Sequence, residues 1–217
     1  MYPLTIVDNF FEEPDEIVKV SQKYEFKKTD GRWPGYRTEL FPHINPTLNQ
    51  YISDKIIRLF YTGGVDFRVL ASFQKCPAMH EDQYHPKNRG WIHRDGPFQF
   101  GGIVYLGKNP EPDTGTSIYR NKTGYAPNDP SINAVKHRHL MGEDVPDEEY
   151  LQTFNRWHDQ FEETVKVENV YNRMVLFNNQ TYHAIKTYGT MSAEEPRLTI
   201  AFFGAFQSWE FHPPLLR

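Results

Sequence analysis

From residue 67 onward the chain is a succession of short apolar runs rich in Tyr, Phe, Val and Ile, each cut off by Gly, Pro, Asn or Asp. No other feature constrains the fold as much. Aromatic and β-branched residues suit a pleated, half-buried surface, and the breakers mark turns between strands. Strands are expected over 67–73, 90–93, 98–106, 116–119, 173–177, 182–186 and 197–206, with a short one over 4–7. Two helices are expected before them. One covers 13–24, where Ile17, Val18, Val20 and Tyr24 recur at helical spacing. The other covers 46–61, where Leu48, Tyr51, Ile52, Ile56, Leu59 and Phe60 form a stripe that Gly63 and Gly64 end. A helical start followed by short strands predicts a mainly β chain, a sandwich or barrel with helices packed on one side.

One stretch breaks the rhythm. Residues 121–170 are polar and proline-containing, and within them Tyr150, Leu151, Phe154, Trp157 and Phe161 recur at helical spacing after Asp147, an expected N-cap. The stretch reads as an insertion whose helix packs on the barrel, a position that also suits a lid. The basic run Lys136-His137-Arg138-His139 reads as a solvated loop rather than a phosphate site.

A length of 217 residues is enough to bury a core without disulfides. The net charge of −4 and the lack of any large basic segment argue against a nucleic-acid partner. The single cysteine, Cys76, excludes an intrachain disulfide and points to a reducing compartment. The start of the sequence lacks the features of a secretory signal, and no apolar run approaches membrane-spanning length. A soluble, cytoplasmic chain with no membrane partner is expected.

The candidate chemistry begins at Trp91-Ile92-His93-Arg94-Asp95. On a strand, residues two apart share a face, so His93 and Asp95 can offer an imidazole nitrogen and a carboxylate oxygen to one ion. A second match, His80-Glu81-Asp82, lies in a stretch rich in turn formers and reads as surface loop. His183 follows an apolar strand and a polar turn. A histidine so placed is ordinarily a packed residue, but with His93 and Asp95 upstream it completes a two-histidine, one-carboxylate set. Such a set leaves open positions on ferrous iron, while four-coordinate zinc can use the same ligands. Arg197 and Thr199 lie further on, two apart in a strand. Together they suit a carboxylate, through a planar guanidinium fork and a hydroxyl. Tyr105 adds a phenolic donor. An arginine aimed into a barrel needs a permanent anion, and the far carboxylate of 2-oxoglutarate fits that need.

In the order His93-x-Asp95, Tyr105-Leu106, Gly115-Thr116-Ser117, Leu176-Phe177, His183 and Arg197-x-Thr199, the chain resembles the Fe(II)/2-oxoglutarate-dependent oxygenases, most closely their prolyl-4-hydroxylase-like branch. The opening Thr5-Ile6-Val7-Asp8-Asn9-Phe10-Phe11 is similar to the start of such domains. The resemblance implies a double-stranded β-helix, the cupin-like jelly-roll barrel. It also implies Fe(II) on His93, Asp95 and His183, 2-oxoglutarate on Arg197, Thr199 and Tyr105, and dioxygen as oxidant. The implied reaction is hydroxylation of a C–H bond with release of succinate and carbon dioxide. The alternatives are a metal- or ligand-binding jelly roll without catalysis and a metal-independent interaction domain whose histidines are structural. The chain departs from many prolyl hydroxylases at Thr114-Gly115, where they carry two glycines, so a small-molecule and a peptidyl substrate stay open. The expected organisation is a single domain over 1–217. Residues 1–66 support a core of 67–120 and 171–207, into which 121–170 is inserted. Expected rims of the site are 27–43, 75–90 and 121–165, with Trp33, Tyr36, Trp91 and Tyr119 as aromatic walls.

Overall fold

The computed structural model describes residues 4–28, 30–60, 67–124, 129–191 and 195–206. In chain order the strands are β1 (Thr5–Val7), β2 (Lys27–Lys28), β3 (Tyr36–Arg37), β4 (Phe67–Cys76), β5 (Phe100–Tyr105), β6 (Thr116–Asn121), β7 (Phe161–Val167), β8 (Met174–Asn178), β9 (Tyr182–Ile185) and β10 (Arg197–Phe206). The helices are α1 (Pro14–Ser21), α2 (Phe41–Ile44), α3 (Pro46–Phe60), α4 (Pro130–Met141) and α5 (Asp147–His158). A seven-stranded sheet runs β1-β8-β5-β10-β4-β3-β2, and a three-stranded sheet runs β7-β6-β9. All pairings are antiparallel.

The large sheet has one apolar and one mixed face, and the two-residue period of its strands decides which side chain goes where. Val69, Ala71, Phe73, Val104, Met174, Leu176, Leu198, Ile200 and Phe202 share one buried cluster with Leu48, Ile52 and Ile56 of α3. Those α3 positions are four apart, so they form one stripe along the helix. Phe202 lies over Gly102 on the neighbouring strand, where a Cβ would come within 2.4 Å of its ring. Residues at the alternate positions of the same strands face the other way. A row of cross-strand partners runs Arg37, Gln74, Thr199, Tyr105. A second row joins Leu70, Phe203, Gly101 and Phe177.

Several expectations need correction. Residues 90–93 do not form a regular strand; His93 makes an isolated bridge to His183, and Gly90 N–H donates to the Ile185 carbonyl. Between them the Trp91 carbonyl faces the His93 ring nitrogen and the Ile92 carbonyl accepts from Trp157 Nε1. The basic run 136–139 is not a solvated loop but part of α4, in which Ile132, Val135, His139 and Leu140 are buried. Asp129 caps that helix by accepting from Ser131 N–H, Pro130 opens it, and Gly142 closes it at φ 72°. The N-cap of α5 is Pro146, with Asp147 inside the first turn. Phe161 does not continue that helix; it starts β7 after a turn at 159–160. Gly63, Gly64 and Tyr61, expected to end the second helix, and residue 207 lie outside the described residues.

The insertion packs rather than dangles. Trp91 is buried with Ile132, Val135, Val145, Tyr150 and Phe154. α4 and α5 thus clamp the segment that leads into His93. Among the described residues no helix is long and apolar enough to cross a membrane.

Candidate metal centre

His93 and His183 face each other across reciprocal main-chain bonds, His93 N–H to His183 O and His183 N–H to His93 O, each 3.0 Å. Asp95 is tied in by its own N–H to the Asn179 carbonyl at 3.1 Å. Segments almost ninety residues apart therefore meet through backbone pairing, and the side chains follow. His93 Nε2 lies 3.6 Å from Asp95 Oδ1, and His183 Nε2 lies 3.4 Å from Asp95 Oδ2. Ligand atoms of all three residues lie within 4.8 Å of one another, the one such group among the described residues.

The tautomers are set in the same way at both rings. His93 Nδ1 sits 2.7 Å from the Trp91 carbonyl and His183 Nδ1 sits 2.9 Å from the Thr181 carbonyl, each two residues back. A carbonyl only accepts, so each Nδ1 carries a proton and each Nε2, turned towards Asp95, is the ring atom left to bind an ion. The enclosing protein, and next the neighbouring His183, hold His93 well below the ordinary imidazole range. Its side chain keeps 39% exposure, so the open side of the cleft tempers the first of these effects. Neutral imidazoles are what a divalent ion requires. The donor set fits a mononuclear metal.

Below the triad the sheet leaves room. A Cβ on Gly101 would stand 2.5 Å from Asn179 Oδ1, 3.1 Å from Asp95 Oδ2 and 3.3 Å from the Phe203 ring. The Asn179 side chain is fully buried, and neither polar atom of its amide has a partner among the described residues. The His183 ring packs 4.3 Å from that of Phe177.

Arg197, Thr199 and Tyr105 are buried on the inner face of the large sheet. Thr199 and Tyr105 are direct cross-strand partners. The Arg197 guanidinium lies 5.2 Å over the Tyr105 ring, and its Nε donates to the Thr114 carbonyl at 2.7 Å. Its Nη2 and the Thr199 hydroxyl are buried without a hydrogen-bond partner among the described residues. No carboxylate lies within ion-pair distance of Arg197 among the described residues. A buried cation and a buried hydroxyl left this way are costly unless an anion visits them. The Tyr105 hydroxyl donates to Thr116 Oγ1 at 2.8 Å. A cavity of about 890 Å³ reaches Arg197 past Leu106, Thr114 and Tyr188.

The other sequence candidates separate by position. His80 and Asp82 stay in a loop, where His80 Nδ1 accepts from Asp82 N–H and the His80 ring stacks on that of His85 at 3.8 Å. Trp91 and Tyr119 are core residues rather than walls. Trp33 stacks on Arg37, and Tyr36 is exposed. Sequence reasoning missed Asn179, placed Arg37 only within the expected rim 27–43, and took Lys136 for part of a solvated loop. Asn179 had a faint signal, as a polar residue between two apolar strands. The inward turn of Arg37 and Lys136 had none, because each depends on pairing or packing with distant chain.

The fold is shared with solved structures of low sequence identity. HygX from Streptomyces hygroscopicus, solved with nickel and 2-oxoglutarate bound, is 12% identical with a TM-score of 0.56, over 97% of this chain and 86% of that one. The epimerase SnoN, solved in complex with Fe3+, alpha ketoglutarate and nogalamycin RO, is 15% identical with a TM-score of 0.54, over 94% of this chain and 79% of that one. These likenesses establish the fold: two antiparallel sheets with flanking helices. No curated protein matches the chain by sequence. The chain belongs to DUF6445, a family described as of unknown function, which matches residues 1–204.

Proposed function

We propose that this member of the DUF6445 family is an Fe(II)- and 2-oxoglutarate-dependent dioxygenase that hydroxylates a C–H bond, releasing succinate and carbon dioxide. The observation that carries the reading is the triad: two Nε2 atoms and one carboxylate within 4.8 Å, each imidazole oriented by a carbonyl. Support comes from Arg197 and Thr199, whose unpartnered buried donors suit the far carboxylate of 2-oxoglutarate. Further support comes from HygX and SnoN, which share the fold and were solved with 2-oxoglutarate or alpha ketoglutarate.

Bound ferrous iron supplies the redox chemistry, coupling oxidative decarboxylation of 2-oxoglutarate to oxidation of the substrate. The protein's part is to hold and orient. Asp95 and the two Nε2 atoms would hold the ion, and no further protein ligand is gathered with them among the described residues. Arg197 and Thr199 fix the co-substrate through its far end, and the Tyr105 ring backs the guanidinium. We read the arrangement as a double-stranded β-helix within a single domain. From β5 onward the strands fall in the large sheet, then twice in the small, then large, small, large. The insertion 121–170 supports the His93 segment.

The test is succinate release from 2-oxoglutarate with Fe(II), screened over peptides, amino acids and small metabolites. Asp95→Ala should lose iron and reduce turnover at least about 10³-fold. Unchanged metal content in that variant, or no dependence of succinate on iron, sinks the reading in favour of a binding module. Product mass separates the outcomes within the reading. A gain of one oxygen marks hydroxylation, and an isomer of unchanged mass marks epimerisation, the activity named for SnoN.

A further inference from the structure

Two cations whose charges act on His93 belong to no ion pair among the described residues. Arg37 sits at the end of the inner row that contains Gln74, Thr199 and Tyr105. Its guanidinium is held 4.8 Å from the Trp33 ring and 5.9 Å from the Phe203 ring, and Nη2 donates to Gln74 Oε1 at 3.1 Å. Its Nε is buried without a hydrogen-bond partner among the described residues. Phe203 is also the ring that borders Gly101 beside Asp95, so Arg37 and Asp95 flank the same side chain. Lys136 comes from the other wall. It falls on the inward stripe of α4, with Ile132, Val135, His139 and Leu140, and is half-buried there. Among the described residues neither cation has a carboxylate within ion-pair distance. The two walls also meet directly, since Gly31, in the loop leading to Arg37, abuts the His137 ring of α4.

We infer that the substrate carries an oxyanion, a carboxylate, phosphate or sulfate, which Arg37 and Lys136 hold at the mouth of the cleft. This deepens the oxygenase reading and rests on it for the reaction. Charge balance leads to the same place. A divalent ion and Arg197 together neutralise Asp95 and the two carboxylates of 2-oxoglutarate, so Arg37 and Lys136 are left in surplus. Cations half out of water need a counter-charge. Burial brings Arg37 down to about 10 and lowers Lys136, while the Asp95 carboxylate opposes both shifts. A guanidinium pinned between two rings is pre-organised for a planar anion, whereas the lysine contributes a mobile point charge. Held by these two groups, a substrate is anchored at one end with its body lying along Phe203 towards the triad.

The experiment uses the Ni(II)-loaded protein saturated with 2-oxoglutarate, titrated with benzoate, phenyl phosphate and neutral benzyl alcohol, and read by tryptophan fluorescence and calorimetry. At least one anion should bind about tenfold or more tightly than the alcohol, and whichever binds better identifies the oxyanion. Arg37→Gln and Lys136→Gln should each weaken the anion about tenfold, and Arg37→Lys should restore part of the loss. All three should melt like the parent and hold 2-oxoglutarate within about twofold of it. Equal binding of the alcohol and the anions overturns the inference. So does a fall in 2-oxoglutarate affinity that matches the fall in anion affinity, because Arg37 and Lys136 then serve the co-substrate. A protein that takes up neither nickel nor 2-oxoglutarate sinks the oxygenase reading alone, and the same anion titration on the metal-free protein still decides this one.

Discussion

The two faces of β10 divide the work of the molecule between them. Leu198, Ile200 and Phe202 point outward and are packed among the carbon of α3, β4 and β5. Arg197 and Thr199, one position away in each case, point inward, and Arg197 Nη2 and the Thr199 hydroxyl find no partner among the described residues. A strand built only of the second kind would not stay folded, since each buried unpaired group costs roughly 1–3 kcal/mol. A strand built only of the first would do no chemistry. The period of two lets a single segment carry both, and the apolar face offsets what the polar face costs.

That contrast is easiest to break from the outer side. Phe202 is fully buried, and Phe202→Ala should cost about 3–5 kcal/mol in a denaturant melt. Metal and 2-oxoglutarate affinity per folded molecule should not change; a parallel collapse of both would show that the faces are not independent. Acid probes a third region, the α4–α5 clamp. Burial brings His139 down to about 4 and His158 down to about 3. The unfolded chain takes up these protons near pH 6.5 while the folded chain refuses them. Stability is therefore complete above that pH, and each histidine removes about 1.4 kcal/mol per unit as pH falls towards its folded value. Melts between pH 7 and 4.5 should show it, and His139→Gln should flatten the slope. On the inner side, Arg197→Met should weaken 2-oxoglutarate by tens to about a hundredfold, with little loss of stability. The mildest change is also the sharpest. Thr199→Val should weaken 2-oxoglutarate only about three- to tenfold, yet leave the protein as stable as before or more so. A Thr199→Val variant that unfolds early would mean the hydroxyl has a structural partner.

Much of this was legible in the sequence because alternation is a local signal. The strands β4, β5, β8 and β10 carry it plainly, and with them come Arg197, Thr199 and Tyr105 on one face. His93, Asp95 and His183 were readable as residue types at suggestive spacing, and the structure brings them together. What stayed hidden has definite causes. α4 is polar around most of its surface, so no apolar period announces it, although its Asp129-Pro130 start and Gly142 end were available as caps. β7 exposes five residues in a row between Phe161 and Val167, and so lacks the alternation of a half-buried strand. Arg37 reaches the inner row only because a two-residue strand pairs with the end of β4. Lys136 turns inward only because its neighbours on the helix do. Neither fact has a local signature.

The reciprocal bond between the main chains of His93 and His183 reaches beyond geometry. With the rings already aligned, an arriving ion need not gather its ligands from distant parts of a loose chain, so an empty molecule and a charged one should have nearly the same outline. Such a socket is undemanding. Under the oxygenase reading, the centre discriminates little between iron, nickel and zinc, and the supply of metal rather than any refusal by the protein decides its occupant.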